Sequence, residues 1–175
     1  LGGRLALGIA VRHPAVVSRV VLVGARAGLA GAEARAARVA EDEAWATRAL
    51  REGSEGFAEA WEARALFREA EAALAPEVRE ARHALRREHH AEGLARALRV
   101  LGLGRMPDYG PALVTVDLPV TLVVGGADAK FGALAEDMAR ALPRSRLVVV
   151  PGAGHDVVLA APERVAALLS GESAP

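Results

Sequence analysis

Three short apolar runs, spaced by helical stretches, predict an α/β fold with a parallel sheet. A long strand-free segment between the first and second runs predicts a helical insertion. The runs are residues 20–23 (VVLV), 120–124 (VTLVV) and 146–150 (RLVVV). Near-continuous β-branched runs suit strands buried on both faces. Strands that alternate with helices are joined by crossovers, which leave neighbours parallel. The 175 residues, 52% hydrophobic, are enough for a domain of ordinary size with a real core.

Taken in order, residues 4–12 (RLALGIAVR) are apolar almost all round, as expected of a helix packed on a sheet. His13-Pro14 closes it, because the residue before proline is pushed out of the helical region. The strand at 20–23 ends at Gly24. Residues 32–105 are dense in Ala, Arg and Glu, with no strand-like run. Residues 33–51 read as one helix, broken at Gly53-Ser54. Ser54 is the expected cap of a second helix reaching Phe67. Pro76 opens a third at 76–90, and 92–101 forms a fourth. The strand at 120–124 is followed by a helix at 131–142, which Pro143 ends. The strand at 146–150 is followed by a last helix at 162–169 and a loose tail at 171–175. The expected organisation is partial core at 1–31, helical cap at 32–108 and remaining core at 109–175.

Composition removes several function classes. The 22 basic and 22 acidic residues give a formal net charge of zero, so a broad nucleic-acid face is not expected. No stretch has the 18 uncharged apolar residues of a membrane span. With no cysteine there is no disulfide, thiolate metal site or cysteine nucleophile. No secretory signal pattern opens the chain, so cytoplasm is the expected setting. Lys130 is the only lysine among 22 basic residues, which reflects a compositional bias toward arginine. The opening Leu1-Gly2-Gly3 runs straight into a helix, and the expectation is that coding sequence precedes it.

In open parallel sheets, ligands bind beyond the carboxyl ends of strands. The loop after 120–124 carries Gly125-Gly126-Ala127-Asp128, and the loop after 146–150 carries Pro151-Gly152-Ala153-Gly154-His155. An acid and then a histidine on successive strand ends match the order nucleophile, acid, histidine of α/β-hydrolases. There the Asp fixes the imidazole tautomer and stabilises the imidazolium. The nucleophile belongs upstream, at a G-x-S-x-G turn running into a helix. Leu1-Gly2 matches its last two positions, so the serine would stand just before Leu1. Ser18, Ser54, Ser145, Ser170 and Ser173 lie before strands, at a cap or in the tail. The backbone N–H of Leu1 is the expected oxyanion donor.

Further pieces carry a closer resemblance. They are Leu1-Gly2-Gly3-Arg4, Gly28-Leu29, Arg35, Arg38, Asp42, Trp45, Trp61, Leu66-Phe67, Asp128-Ala129-Lys130-Phe131 and Gly152-Ala153-Gly154-His155. Over nearly the whole chain this resembles the 2-succinyl-6-hydroxy-2,4-cyclohexadiene-1-carboxylate synthases of menaquinone biosynthesis. The resemblance implies a lyase that eliminates pyruvate from an anionic cyclohexene precursor. Proton abstraction by a Ser-His-Asp triad starts the reaction, with serine as base and no cofactor. Asp128 matches the triad acid and His155 the triad histidine. Arg4, Arg38 and Arg86 match substrate-binding arginines, and Trp61 a cap tryptophan lining the pocket. The implied ligand is a small anionic substrate, not a nucleic acid, membrane or metal. Arginine suits it, since its forked donors pair bidentately with carboxylates. His89-His90 departs from the family, which has an asparagine pair there. Val158 and Ala160 replace a second His and a Glu.

Two other readings of the residues stay open. One is a general α/β-hydrolase acting on a small ester or a C–C bond, whose cap would need no arginines. The other is an inactive fragment or a binding module.

Overall fold

The computed structural model describes residues 1–64, 66–67 and 74–171. They form two compact units, Leu1–Ala27 with Asp108–Pro175, and Gly28–Pro107. The sequence boundaries at 31 and 108 differ slightly, with 28–31 joining the helical unit and Asp108 the other.

The first unit is built on β1 (Val20–Val23), β2 (Val120–Gly125) and β3 (Ser145–Val150), parallel and in the order β1-β2-β3. Val20 pairs with Val120, and Val120 with Ser145. Alternate side chains of a strand point to opposite faces, and this sheet has a core on each. On one face Val20, Leu22, Val120, Leu122 and Val124 pack with Leu7 and Ala10 of α1 (Gly2–Arg12). Ala135 and Met138 of α5 (Ala129–Ala141) close the same face. On the other, Val123, Val148 and Val150 pack with Val157 of the short helix α6 (Val157–Ala160) and Val165 and Leu168 of α7 (Pro162–Ser170). The central strand β2 is thus covered on both sides, as its unbroken apolar run requires, while Val149 of β3 is exposed.

Helix α1 packs on the sheet as its apolar sequence predicts, with Leu5 and Ile9 exposed on its other side. Only the stripe of Leu7, Gly8 and Ala10 is buried, because a helix on a single sheet face covers one side. Gly8 is needed there, since a Cβ would lie 2.7 Å from the Tyr109 hydroxyl.

The second unit holds α2 (Ala32–Glu62), α3 (Pro76–Arg87) and α4 (Ala91–Leu101), then a 3-10 turn at Leu103–Arg105. Its buried side chains are mostly small, Ala46, Ala49, Ala58 and Ala95, joined by Leu103 and Asp42. Gly104 lets the turn close on α2, where a Cβ would fall 2.5 Å from the Arg35 carbonyl oxygen. The break expected at Gly53 is present: two helical stretches meet there at a kink, with Gly53 at φ +74°. The Ser54 hydroxyl that follows donates to the Arg87 carbonyl at 2.7 Å, a tertiary contact beyond the local pattern. The expected span to Phe67 includes Ala65, which lies outside the described residues, as does 172–175 of the expected tail. Helix α3 ends at Arg87, short of His90, which instead precedes α4. Among the described residues no helix is long and apolar enough to cross a membrane.

Candidate active site

The loops leaving β2 and β3 are stitched together by their backbones. Gly126 N–H donates to the Val150 carbonyl at 2.8 Å, and Ala127 N–H to that of Ala153 at 2.9 Å. Only glycine fits at 125, because a Cβ would stand 2.1 Å from the Gly154 oxygen and 2.2 Å from that of Ala153. This close approach fixes the relative position of the two side chains that follow.

Asp128 is 7% exposed and divides its carboxylate between two tasks. Oδ1 accepts the Phe131 N–H at 3.1 Å, which caps α5. Oδ2 lies 2.7 Å from His155 Nδ1. An ionised carboxylate only accepts, so Nδ1 carries the proton and Nε2 is the basic nitrogen of the neutral ring. Two further contacts hold the imidazole. The Phe131 ring sits 4.2 Å away, centroid to centroid, tilted by 42°. Beneath it lies Gly24, at φ +53°, where a Cβ would come within 3.1 Å of His155 Cε1. Neither contact was anticipated from sequence. Phe131 could have been, as the third residue after a capping Asp.

The amino end of α1 lies against the chain just beyond the carboxyl end of β1, for a Cβ at Gly3 would meet Ala25 Cβ at 2.7 Å. Leu1 precedes the helix and its carbonyl accepts the N–H groups of Arg4 and Leu5. Arg4, in the first turn, is half-buried.

The other expected site residues belong to the helical unit. The Arg38 guanidinium is held through Nε, which donates to Asp42 Oδ1 at 2.9 Å. Asp42 is buried, and Gly102 packs so closely on it that a Cβ would meet Oδ2 at 2.3 Å. Trp61 stacks on Phe57 at 5.4 Å and meets Trp45 edge-on at 5.1 Å. Trp61 and Arg86 share a hollow of about 90 Å³ with Phe57, Ala58, His89 and Leu94. Thus the structure brings Asp128 to His155 and Trp61 to Arg86, while Arg38 is paired separately. Among the described residues, no group of three or more His, Asp or Glu stands close enough to hold a metal ion.

The profile of the alpha/beta hydrolase family matches residues 1–168. The chain belongs to the alpha/beta hydrolase family. A relative within it is the 2-succinyl-6-hydroxy-2,4-cyclohexadiene-1-carboxylate synthase of Enterobacter sp. (strain 638), 35% identical over 170 residues. That match covers 97% of this chain and 62% of the relative. The structure of MenH from S. aureus superposes with a TM-score of 0.91 at 27% identity, over 97% of this chain and 63% of that one. A malate-bound thermophilic esterase from Thermogutta terrifontis reaches a TM-score of 0.77 at 28% identity, over 97% of this chain and 60% of that one. The chain therefore spans just under two thirds of these relatives.

Proposed function

We propose that this chain is the acid- and histidine-bearing portion of a menaquinone-pathway lyase that eliminates pyruvate from an anionic cyclohexene precursor. The observation that carries the reading is the 2.7 Å contact between Asp128 and His155 on successive strand-end loops. The likeness to the Enterobacter synthase supports the substrate class. This reading requires a nucleophile-position serine immediately before Leu1-Gly2, which match the last two positions of the G-x-S-x-G turn.

In this reading His155 Nε2 takes the serine proton, and Asp128 stabilises the resulting imidazolium through Nδ1–H. The serine oxygen then removes a proton from carbon. The electron pair left behind forms a carbon–carbon double bond as the carbon–oxygen bond breaks. The group leaves as the enolate of pyruvate, takes the proton held by His155 and becomes pyruvate, and no acyl-enzyme forms. Charge developing on substrate oxygen is met by the Leu1 N–H, at the amino end of α1 where the helix dipole favours negative charge. Arg4, Arg38 and Arg86 bind substrate carboxylates, and Trp61 packs on the ring. No cofactor enters, and the setting is cytoplasmic.

A second reading, hydrolysis of a small ester, is favoured by the likeness to the Thermogutta esterase. The two separate in one assay. The chain, expressed with its preceding coding sequence, is given the cyclohexene precursor and, separately, p-nitrophenyl acetate. Pyruvate release with slow ester cleavage supports the lyase. Rapid ester cleavage without pyruvate supports the esterase.

A further inference from the structure

Where α2 ends, Glu62 engages two side chains of α3. Its Oε1 accepts from Arg86 Nη1 at 2.5 Å, and its Oε2 accepts from His83 Nδ1 at 2.8 Å. Glu62 and His83 are 19% and 18% exposed, and Arg86 is 26% exposed. Most other ion pairs of this unit stand in the open. Arg87, for example, reaches Glu55 and Glu80, which are 65% and 72% exposed, and such pairs do little to fix geometry. A covered carboxylate with a charged donor on one oxygen and an imidazole on the other is a different object, short and oriented.

Arg86 is also a wall of the hollow floored by Phe57, Trp61 and Leu94. A guanidinium is a rigid plane, so fixing one of its terminal nitrogens fixes where the whole plane faces. Beside it, His89 Nδ1 donates to the Leu85 carbonyl at 3.0 Å, so the hollow is lined by a guanidinium, an imidazole and apolar side chains. That chemistry suits a carboxylate on a flat apolar body. We propose that Glu62 is a positioning residue, which holds Arg86 to receive the carboxylate of a ligand seated in this hollow. The inference rests on the reading of Arg86 as a substrate contact, and it assigns to Glu62 and His83 a task beyond joining two helices.

The test uses the full chain with its preceding coding sequence and two readouts. One is benzoate binding followed by tryptophan fluorescence, since Trp61 borders the hollow. The other is steady-state pyruvate release. Glu62→Ala should weaken benzoate binding and raise KM about tenfold, with kcat within about twofold, as for a lost charged hydrogen bond. Glu62→Gln keeps an acceptor for Arg86 and should recover most of the loss. The double variant Glu62→Ala/Arg86→Ala should be no worse than Arg86→Ala, because Glu62 acts through Arg86. A lowered melting temperature in Glu62→Ala with benzoate affinity and KM unchanged overturns the proposal. So do additive effects in the double variant, and so does a wild-type chain that does not bind benzoate. If Glu62→Ala does not fold, Glu62→Met, which fills the same space without an acceptor, takes its place, and unchanged benzoate affinity and KM there overturn the proposal. Benzoate binding that follows this pattern without any pyruvate release sinks the lyase reading and leaves the positioning role standing.

Discussion

The sheet-bearing unit and the helical unit hold their candidate site residues by different means. Asp128 and His155 are held by backbone, on two loops whose amides and carbonyls bond directly and whose closest approach allows only glycine at 125. Arg38 and Arg86 are held by side chains, Arg38 by Asp42 and Glu41 and Arg86 by Glu62. The hydrophobic interiors differ in the same sense. Interdigitated Val and Leu fill both faces of the sheet, while the buried positions of the helical unit are mostly alanine. Backbone-held groups tolerate little change. Side-chain-held groups can be exchanged one at a time, so this unit is where ligand preference can vary without disturbing the fold.

The largest expected effect tests the backbone-held half. His155→Ala in the chain with its preceding coding sequence should lower kcat by at least about 10³-fold, because triad members act as a unit. Steady-state pyruvate release checks it, and a tenfold loss or less would remove His155 from the chemistry. Next comes Gly125→Ala, which must push apart the loops after β2 and β3, since carbonyl oxygens would lie 2.1 and 2.2 Å from the new carbon. It should cost about 3 kcal/mol or more, at the high end for a single substitution, read as a lower urea midpoint. A neutral result would show that the loops are held by something other than this contact.

Much of the backbone-held half was legible in the sequence. The strands announce themselves by β-branched runs, and the acid and histidine by their place just after them. What was hidden depends on groups brought together from afar. Gly24 reads only as the end of a strand, yet its missing side chain makes room for the ring of His155, far along the chain. Ser54 carries a local cap signal, but its hydrogen bond to the distant Arg87 carbonyl has no local signal. In the helical unit the arginines to watch came from the family resemblance. Their partners did not, since Glu62 meets His83 and Arg86 only through packing of α2 on α3.

Two smaller effects sharpen the side-chain-held half. Arg38→Ala should weaken substrate binding by about 1.5–3 kcal/mol, and should also lower stability by leaving the Asp42 carboxylate buried without its guanidinium. Adding Asp42→Asn should restore the melting temperature and leave KM high. Recovery of KM as well would mean that Arg38 never touched substrate. The smallest effect concerns Arg99 and Glu43, 2.5 Å apart on the surface. The hydrogen bond from Arg99 holds the Glu43 carboxyl below its ordinary pKa. A carboxyl depressed in the folded state stabilises it above the unfolded pKa, and loses that contribution as pH falls through the folded value. Thermal melts of wild type and Glu43→Gln should therefore differ slightly at pH 7 and converge in acid below the folded pKa. A gap that persists there would assign the effect to packing.

Position 24 has a consequence for anyone screening variants. Every glycine codon is one base change from codons for larger residues, and each such change sets carbon against the His155 ring while forcing a left-handed backbone on a side chain that resists it. Random libraries should therefore recover inactivating hits at a residue that has no chemistry of its own. A map of function-killing positions would light up under the imidazole as brightly as on it, and a screen that scored only reactive groups would mistake the cause.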